Sequence, residues 1–160
     1  MRDLLLNMSP QDLSQIQKLH NRLRSAMFFY PSSLTSFIID FDSTILTVYG
    51  TQQEAKVGYN PKNQGHRSYR PMLAFESHRS ISLYGSLRPG NFSDQTQIIP
   101  FLKETFTKIP SSITRSRVRL RLDAGFYGRP ILDFLDDYPF GYVMVAQTGS
   151  PIKEIWVFRV

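Results

Sequence analysis

Apolar residues recur at steps of three and four through Leu13, Ile16, Leu19, Leu23 and Met27, the spacing of one face of an α-helix. Ser9 and Pro10 precede this run as N-cap and first helical residue, and Tyr30-Pro31 closes it, so a packing helix is predicted near the start of the chain. The period then changes to two. A strand is predicted over residues 34–49, with Phe37, Ile39 and Phe41 on one face and Ile38, Asp40 and Asp42 on the other. From Gly50 to Pro71 turn-formers replace periodicity, as in Gly58-Tyr59-Asn60-Pro61 and Asn63-Gln64-Gly65, and a long loop is expected. Residues 71–77 and 81–87 read as an antiparallel hairpin closed by a polar turn at 77–80. Helical spacing returns over 93–108 in Ile98, Phe101, Leu102, Thr105 and Phe106, with Pro100 a candidate breaker. A strand at 117–123, a short helix at 130–137 and an apolar strand at 142–146 form a β-α-β unit, and 150–160 is apolar enough for one more strand. The mixed order predicts an α/β sheet with an antiparallel edge.

Two of these strands end in acids. Phe37-Ile38-Ile39-Asp40-Phe41-Asp42 and Val118-Arg119-Leu120-Arg121-Leu122-Asp123 each deliver a carboxylate to a strand end, and Asp42 and Asp123 are 81 residues apart. Two carboxylates from different strands suit Mg²⁺, which takes hard oxygen ligands and fills its other positions with water and phosphate. For each acid alone, a cap or an Asx-type turn is about as good an explanation, the latter for Asp123 before Gly125.

Composition narrows the partners. The chain has 160 residues, 41% hydrophobic and 13% aromatic, enough for one ordinary core. Its formal charge of +6 fits a polyanion. It has no cysteine, which excludes disulfides and thiolate metal sites and is compatible with a cytoplasmic setting. Met1-Arg2-Asp3-Leu4-Leu5-Leu6-Asn7 lacks the apolar core of a signal peptide, no stretch approaches the roughly 20 apolar residues of a membrane span, and no membrane partner is expected. The positive charge is clustered. Lys56, Lys62, Arg67 and Arg70 are interleaved with Tyr59, His66 and Tyr69, and Arg117, Arg119 and Arg121 alternate with apolar residues on a predicted strand. Either patch alone reads as a solvated face, and together with the paired acids they favour nucleic acid. His20, His66 and His78 show no metal-ligand spacing and read as surface or satisfied histidines. Trp156 reads as core, and Gly58, Gly90 and Gly125 as places where a Cβ would intrude.

Several motifs together resemble one family. Asp40-Phe41-Asp42-Ser43-Thr44, Tyr49-Gly50, Gly58-Tyr59-Asn60-Pro61-Lys62, Gly65, Ser68-Tyr69 with Pro71, Leu87-Arg88 with Gly90-Asn91, and Arg119-Leu120-Arg121 with Asp123 and Gly125-Phe126-Tyr127 resemble, in order, the group 1 DDE transposases of bacterial insertion sequences. The resemblance implies a ribonuclease H-like mixed sheet, antiparallel in its first strands, followed by the β-α-β unit. It also implies three carboxylates holding two Mg²⁺, or Mn²⁺, for DNA cleavage and strand transfer. Asp42 would be the first ligand and Asp123 the second, with Asp40 a competitor for the first place. Expected DNA contacts are Tyr59, Lys62, Arg67, Tyr69, Arg70, Arg88, Arg119 and Arg121, against terminal inverted repeats and target DNA in the nucleoid. The third acid is expected beyond the strand at 142–146, on a helix. Glu154, in a strand-like stretch, is not taken for it. The chain is therefore expected to be a catalytic fragment, 34–160, behind a helical segment, 1–33. It would be incomplete at its C-terminus, inactive alone, and able to dimerise with a full-length transposase.

Two rival readings start from the same residues. Apolar-Asp-x-Asp-x-Thr also opens haloacid dehalogenase-like phosphatases, in which Asp40 would be the nucleophile and Val143 to Thr148 a later motif, but no lysine helix or Gly-Asp motif follows. The other is a non-catalytic DNA-binding remnant.

Overall fold

The computed structural model describes residues 9–27, 36–92, 94–147 and 154–159. The chain divides into two compact units, 1–34 and 35–160. In the first, α1 spans Pro10–Met27. Its start is a reciprocal cap: the Ser9 hydroxyl accepts from the Asp12 N–H at 3.2 Å, and the Asp12 carboxylate accepts from the Ser9 N–H at 2.9 Å and its hydroxyl at 2.7 Å. These bonds hold the Asp12 carboxyl below its usual range. The predicted packing face is not buried: Leu13, Ile16, Leu19, Leu23 and Met27 are each 53–57% exposed. The predicted stop at Tyr30-Pro31 lies outside the described residues.

The second unit is built on a six-stranded sheet. Its strands are β1 (Phe37–Ser43), β5 (Met72–Glu76), β6 (Ile81–Ser86), β7 (Val118–Leu122), β8 (Gly141–Gln147) and β9 (Glu154–Arg159), in spatial order β6-β5-β1-β7-β8-β9. β6, β5 and β1 run antiparallel, β1, β7 and β8 parallel, and β9 returns antiparallel to β8. Parallel neighbours need crossovers, and β7 reaches β8 through helix α3 (Arg129–Asp136). Alternation places Phe37, Ile39 and Phe41 of β1, Val118, Leu120 and Leu122 of β7, and Met144 of β8 on one buried face. Helix α2 (Asp94–Thr107) adds buried Ile98, Phe101, Leu102 and Phe106 to this core, and Ile131 and Leu135 come from α3. Phe41 meets Phe101 edge-on at 6.2 Å, and Phe106 meets Phe140 edge-on at 4.8 Å. The helix continues through Pro100: the backbone bond lost there is outweighed by the buried side chains on either side.

Two predictions on the approach to this sheet are corrected. The strand expected over 34–49 ends at Ser43, and residues 50–71 are not a plain loop. Leu46–Thr47 (β2), Lys56–Val57 (β3) and Arg67–Tyr69 (β4) form a separate accessory sheet of order β2-β4-β3. Each strand is two or three residues long, too short to show a period. A smaller correction is that Arg117 lies in a 3₁₀ turn, Arg115–Arg117, before β7. The hairpin β5–β6 forms as predicted, with a register irregularity between Ala74 and Phe75. Its turn is organised by a residue that periodicity does not reveal. Glu76 is fully buried, and its carboxylate accepts from the N–H groups of His78 at 3.0 Å and Arg79 at 2.9 Å. The side chains of β9, including Trp156, lie outside the described part.

Candidate functional site

The parallel pairing of β1 with β7 aligns Asp40 with Arg121 and Phe41 with Leu122, so Asp42 and Asp123 are the next positions on neighbouring strands. Adjacent strands lie about 4.8 Å apart, which puts the two carboxylates side by side at the carboxyl ends of β1 and β7. Both residues are exposed, and both point to the face opposite the helices, because Phe41 and Leu122 point inward. Asp123 also performs the turn role weighed from sequence: it caps the 3₁₀ turn Ala124–Phe126, accepting from the Gly125 N–H at 2.9 Å. Among the described residues no hydrogen bond or ion pair engages the Asp42 carboxylate.

Asp40 is differently placed. It shares a face with Asp42, but its carboxylate is gripped by the Arg121 guanidinium, with Nε on Oδ1 and Nη2 on Oδ2 at 2.5 Å. The same Nη2 donates to the Ser77 hydroxyl at 2.8 Å, so one arginine joins β7, β1 and the hairpin turn. Hydrogen bonding to Asp40 raises the Arg121 pKa above its ordinary value. This contact separates the two candidates for first acid on physical grounds. The Asp40 carboxylate is ion-paired with Arg121, whereas no such partner engages the Asp42 carboxylate among the described residues.

The basic residues are also sorted by the fold. Tyr59 is 71% exposed, and Lys62, between β3 and β4, and Arg67, on β4, are exposed. Tyr69 is half-buried, its hydroxyl donating to the Gln53 carbonyl, and Arg70 is half-buried at the junction with β5. Arg119 is half-buried and turns back to the carbonyls of Ser116 at 2.6 Å and Val118 at 3.0 Å. Arg121 is committed to Asp40. Arg88 is a clear correction: expected as a DNA contact, it is only 6% exposed and lines a cavity of about 240 Å³ between β6 and α2, with Tyr84, Phe101 and Glu104.

The glycines and the asparagine of the accessory sheet explain motifs whose role sequence alone leaves open. A Cβ on Gly90 would sit 2.1 Å from the Ser68 hydroxyl and 2.8 Å from two backbone oxygens, and one on Gly58 would sit 2.0 Å from the Gly90 carbonyl. The chain at 88–90 runs against β4 through Arg70 N–H to Arg88 carbonyl at 2.7 Å and Gly90 N–H to Ser68 carbonyl at 2.9 Å. Asn60, 5% exposed, donates to the Thr47 hydroxyl at 2.8 Å and accepts from the Asn63 N–H at 3.1 Å. These residues frame the sheet that leaves β1 just after Asp42.

The family model for the transposase DDE domain, group 1, matches residues 3–156. The chain belongs to that family. Its fold is ribonuclease H-like, a mixed α/β sheet shared with a piggyBac transposase determined by cryo-EM in a synaptic complex with hairpin DNA. The two superpose with a TM-score of 0.53 at 14% identity, covering 74% of this chain and 24% of that one. A Mos1 transposase in a pre-cleavage transpososome matches with a TM-score of 0.47 at 16% identity, over 85% of this chain and 43% of that one. A Mos1 mariner paired-end complex with Mn gives a TM-score of 0.44 over the same coverage, 85% and 43%. The chain thus spans less than half the length of these transposases. No curated protein sequence matches it.

The family implies a divalent metal, and the donor set fits one. Asp42 and Asp123 are adjacent, exposed, hard-oxygen ligands at one sheet end, and Mg²⁺ or Mn²⁺ needs no more than one or two such carboxylates. Among the described residues no group of three or more acids, histidines or cysteines is arranged to hold a metal. Glu154 opens β9 opposite Gln147, at the same sheet end but with two strands, β7 and β8, between it and β1. Among the described residues no helix is long and apolar enough to cross a membrane.

Proposed function

We propose that residues 34–160 are the catalytic part of a DDE transposase of a bacterial insertion sequence, acting in the cytoplasm on nucleoid DNA, and that 1–33 is a separate helical segment. The observation that carries this reading is the adjacency of Asp42 and Asp123 one position beyond the Phe41–Leu122 pair. These two carboxylates would hold Mg²⁺ or Mn²⁺, which when bound activates an attacking oxygen and neutralises charge at phosphorus. The chain's own contribution is positional. β1 and β7 fix the spacing of the ligands, the buried core beneath them keeps that spacing rigid, and Arg121 keeps Asp40 out of the ligand set. The exposed cations Lys62 and Arg67 supply phosphate contacts to terminal-repeat and target DNA. Among the described residues two acids, not three, come together at this sheet end, and on this reading the chain alone does not cleave and can dimerise with a full-length transposase.

Mn²⁺ binding, read by electron paramagnetic resonance, tests the site. Wild type is expected to bind, Asp42→Asn and Asp123→Asn to bind at least about tenfold more weakly, and Asp40→Asn to retain binding. Loss in Asp40→Asn but not in Asp42→Asn would exchange the first ligand. If wild type binds no ion, a DNA-binding remnant becomes the better account. Metal-dependent cleavage of inverted-repeat DNA by the purified chain would refute the inactivity.

A further inference from the structure

Among the described residues of the second unit, the large exposed apolar side chains are all in or beside the accessory sheet. Leu46 and Val57 are 50% and 54% exposed, Tyr49 and Tyr59 are 73% and 71% exposed, and Leu87 and Phe92 are 62% and 37% exposed. Register shows how they are presented. Leu46 opposes Tyr69 and Val57 opposes Arg67, and Ser68 between them points inward, so Leu46, Val57, Arg67 and Tyr69 share one face. Tyr49 and Tyr59 follow the ends of β2 and β3, and Tyr49 meets the His66 ring edge-on at 5.4 Å. Exposed Lys56 and Lys62 flank this surface, with Glu54 the one acid between residues 46 and 70. The surface adjoins the catalytic end of the main sheet: Thr44, two residues after Asp42, donates its N–H to the Pro71 carbonyl at 3.2 Å, where β4 passes into β5.

Such a patch would be an aggregation liability unless something covers it. Its charge selects a polyanion, and its exposed tyrosines select a polyanion with flat apolar faces on offer. Duplex DNA hides its bases, so phosphate contacts would need the cations and leave the rings idle. Unpaired nucleotides use both. We propose that the accessory sheet holds unpaired nucleotides of a DNA end, with bases stacked on Tyr49 and Tyr59 and phosphates against Lys56, Lys62 and Arg67. The inference deepens the transposase reading, on which it rests for the identity of the polyanion as DNA.

Fluorescence anisotropy with the full chain in EDTA tests it, because without divalent metal the Asp42–Asp123 pair does not enter. The probes are a labelled blunt duplex and the same duplex carrying a five-nucleotide unpaired extension. Wild type is expected to bind the extended DNA at least about fivefold more tightly. In Tyr49→Ala/Tyr59→Ala that ratio should fall toward one. In Lys62→Ala/Arg67→Ala both probes should weaken, with a flatter salt dependence. Equal binding of the two probes by wild type, or an unchanged ratio in the tyrosine variant, overturns the proposal. So does a concentration-dependent dimer that the tyrosine substitutions abolish, which would make the patch an interface between copies. A preference for extended DNA without Mn²⁺ binding would sink the metal site and leave this surface standing. The reverse pair of results would do the opposite.

Discussion

In the six-stranded sheet, stability comes from apolar side chains. Ile39, Leu120, Ala74 and Met144 are fully buried on one face and pack beneath the aromatic residues of α2 and α3. The accessory sheet buries Ala55, Ser68, Asn60 and Gly90 instead, and leaves Leu46 and Val57 about half exposed. Its cohesion comes from close backbone approach at Gly58 and Gly90 and from the hydrogen bonds that Asn60 makes to Thr47 and Asn63. The two regions should therefore fail differently: the first when atoms are removed, the second when an atom is added. The division also suits their proposed work, since ligand spacing needs a rigid core and a binding surface needs apolar groups left outside it.

The largest effect is expected in the main sheet. Leu120→Ala removes a buried side chain from the centre of β7 and should cost about 2–5 kcal/mol, a large fraction of a domain's stability, in urea unfolding followed by circular dichroism. A loss confined to one edge of the sheet, with the rest unfolding as before, would show that the core is not one cooperative body. Gly90→Ala should come next, at about 1–3 kcal/mol, because the new methyl meets backbone oxygens that cannot rotate away. Its signature is regional: amide exchange should rise over 46–70 and 87–91 while β7 and β8 stay protected. Asn60→Ala should cost about 1 kcal/mol, since Asn63 still donates to Thr47 at 3.2 Å and limits the damage. Equal exchange in the two sheets of either variant would erase the distinction between them.

How much of this was legible in the sequence follows from the same contrast. Alternation over 37–42 and 118–122 marks a covered face and an open one, so the acids, their shared face and the β-α-β order could be read directly. The accessory sheet could not, because strands of two or three residues carry no period, and glycine contacts and an asparagine-centred network look like turn chemistry. The motifs of the family resemblance marked Gly58, Asn60 and Gly90 without saying what they do. Arg88 and Arg121 differ from their sequence reading for a related reason. A charge in a sequence reads as free and exposed, and only the fold shows that Arg88 is buried beside a cavity and that the exposed Arg121 is paired across strands. The five-residue stripe of α1 shows the converse: helical spacing predicted burial, and the stripe is exposed.

The smallest stability effect, and the one with the sharpest sign, concerns Arg121. Its side chain is 54% exposed and that of Asp40 is 33% exposed, so solvent screens the pair and Arg121→Met should cost less than about 1 kcal/mol. Its effect on metal binding should be larger than that modest figure suggests. Removing the guanidinium takes a positive charge from the open face and releases the Asp40 carboxylate two residues before Asp42. Both changes favour a divalent cation, and at a separation near 7 Å in a water-rich setting they amount to a few-fold gain in Mn²⁺ affinity. Asp40→Asn/Arg121→Met should return the affinity toward wild type, because the released charge is gone. If Arg121→Met instead weakens Mn²⁺ binding while leaving the fold intact, the arginine acts mainly by holding β7 in register with β1. Asp123 would then depend for its position on a surface ion pair, and the rigid core alone would not suffice to space the two aspartates.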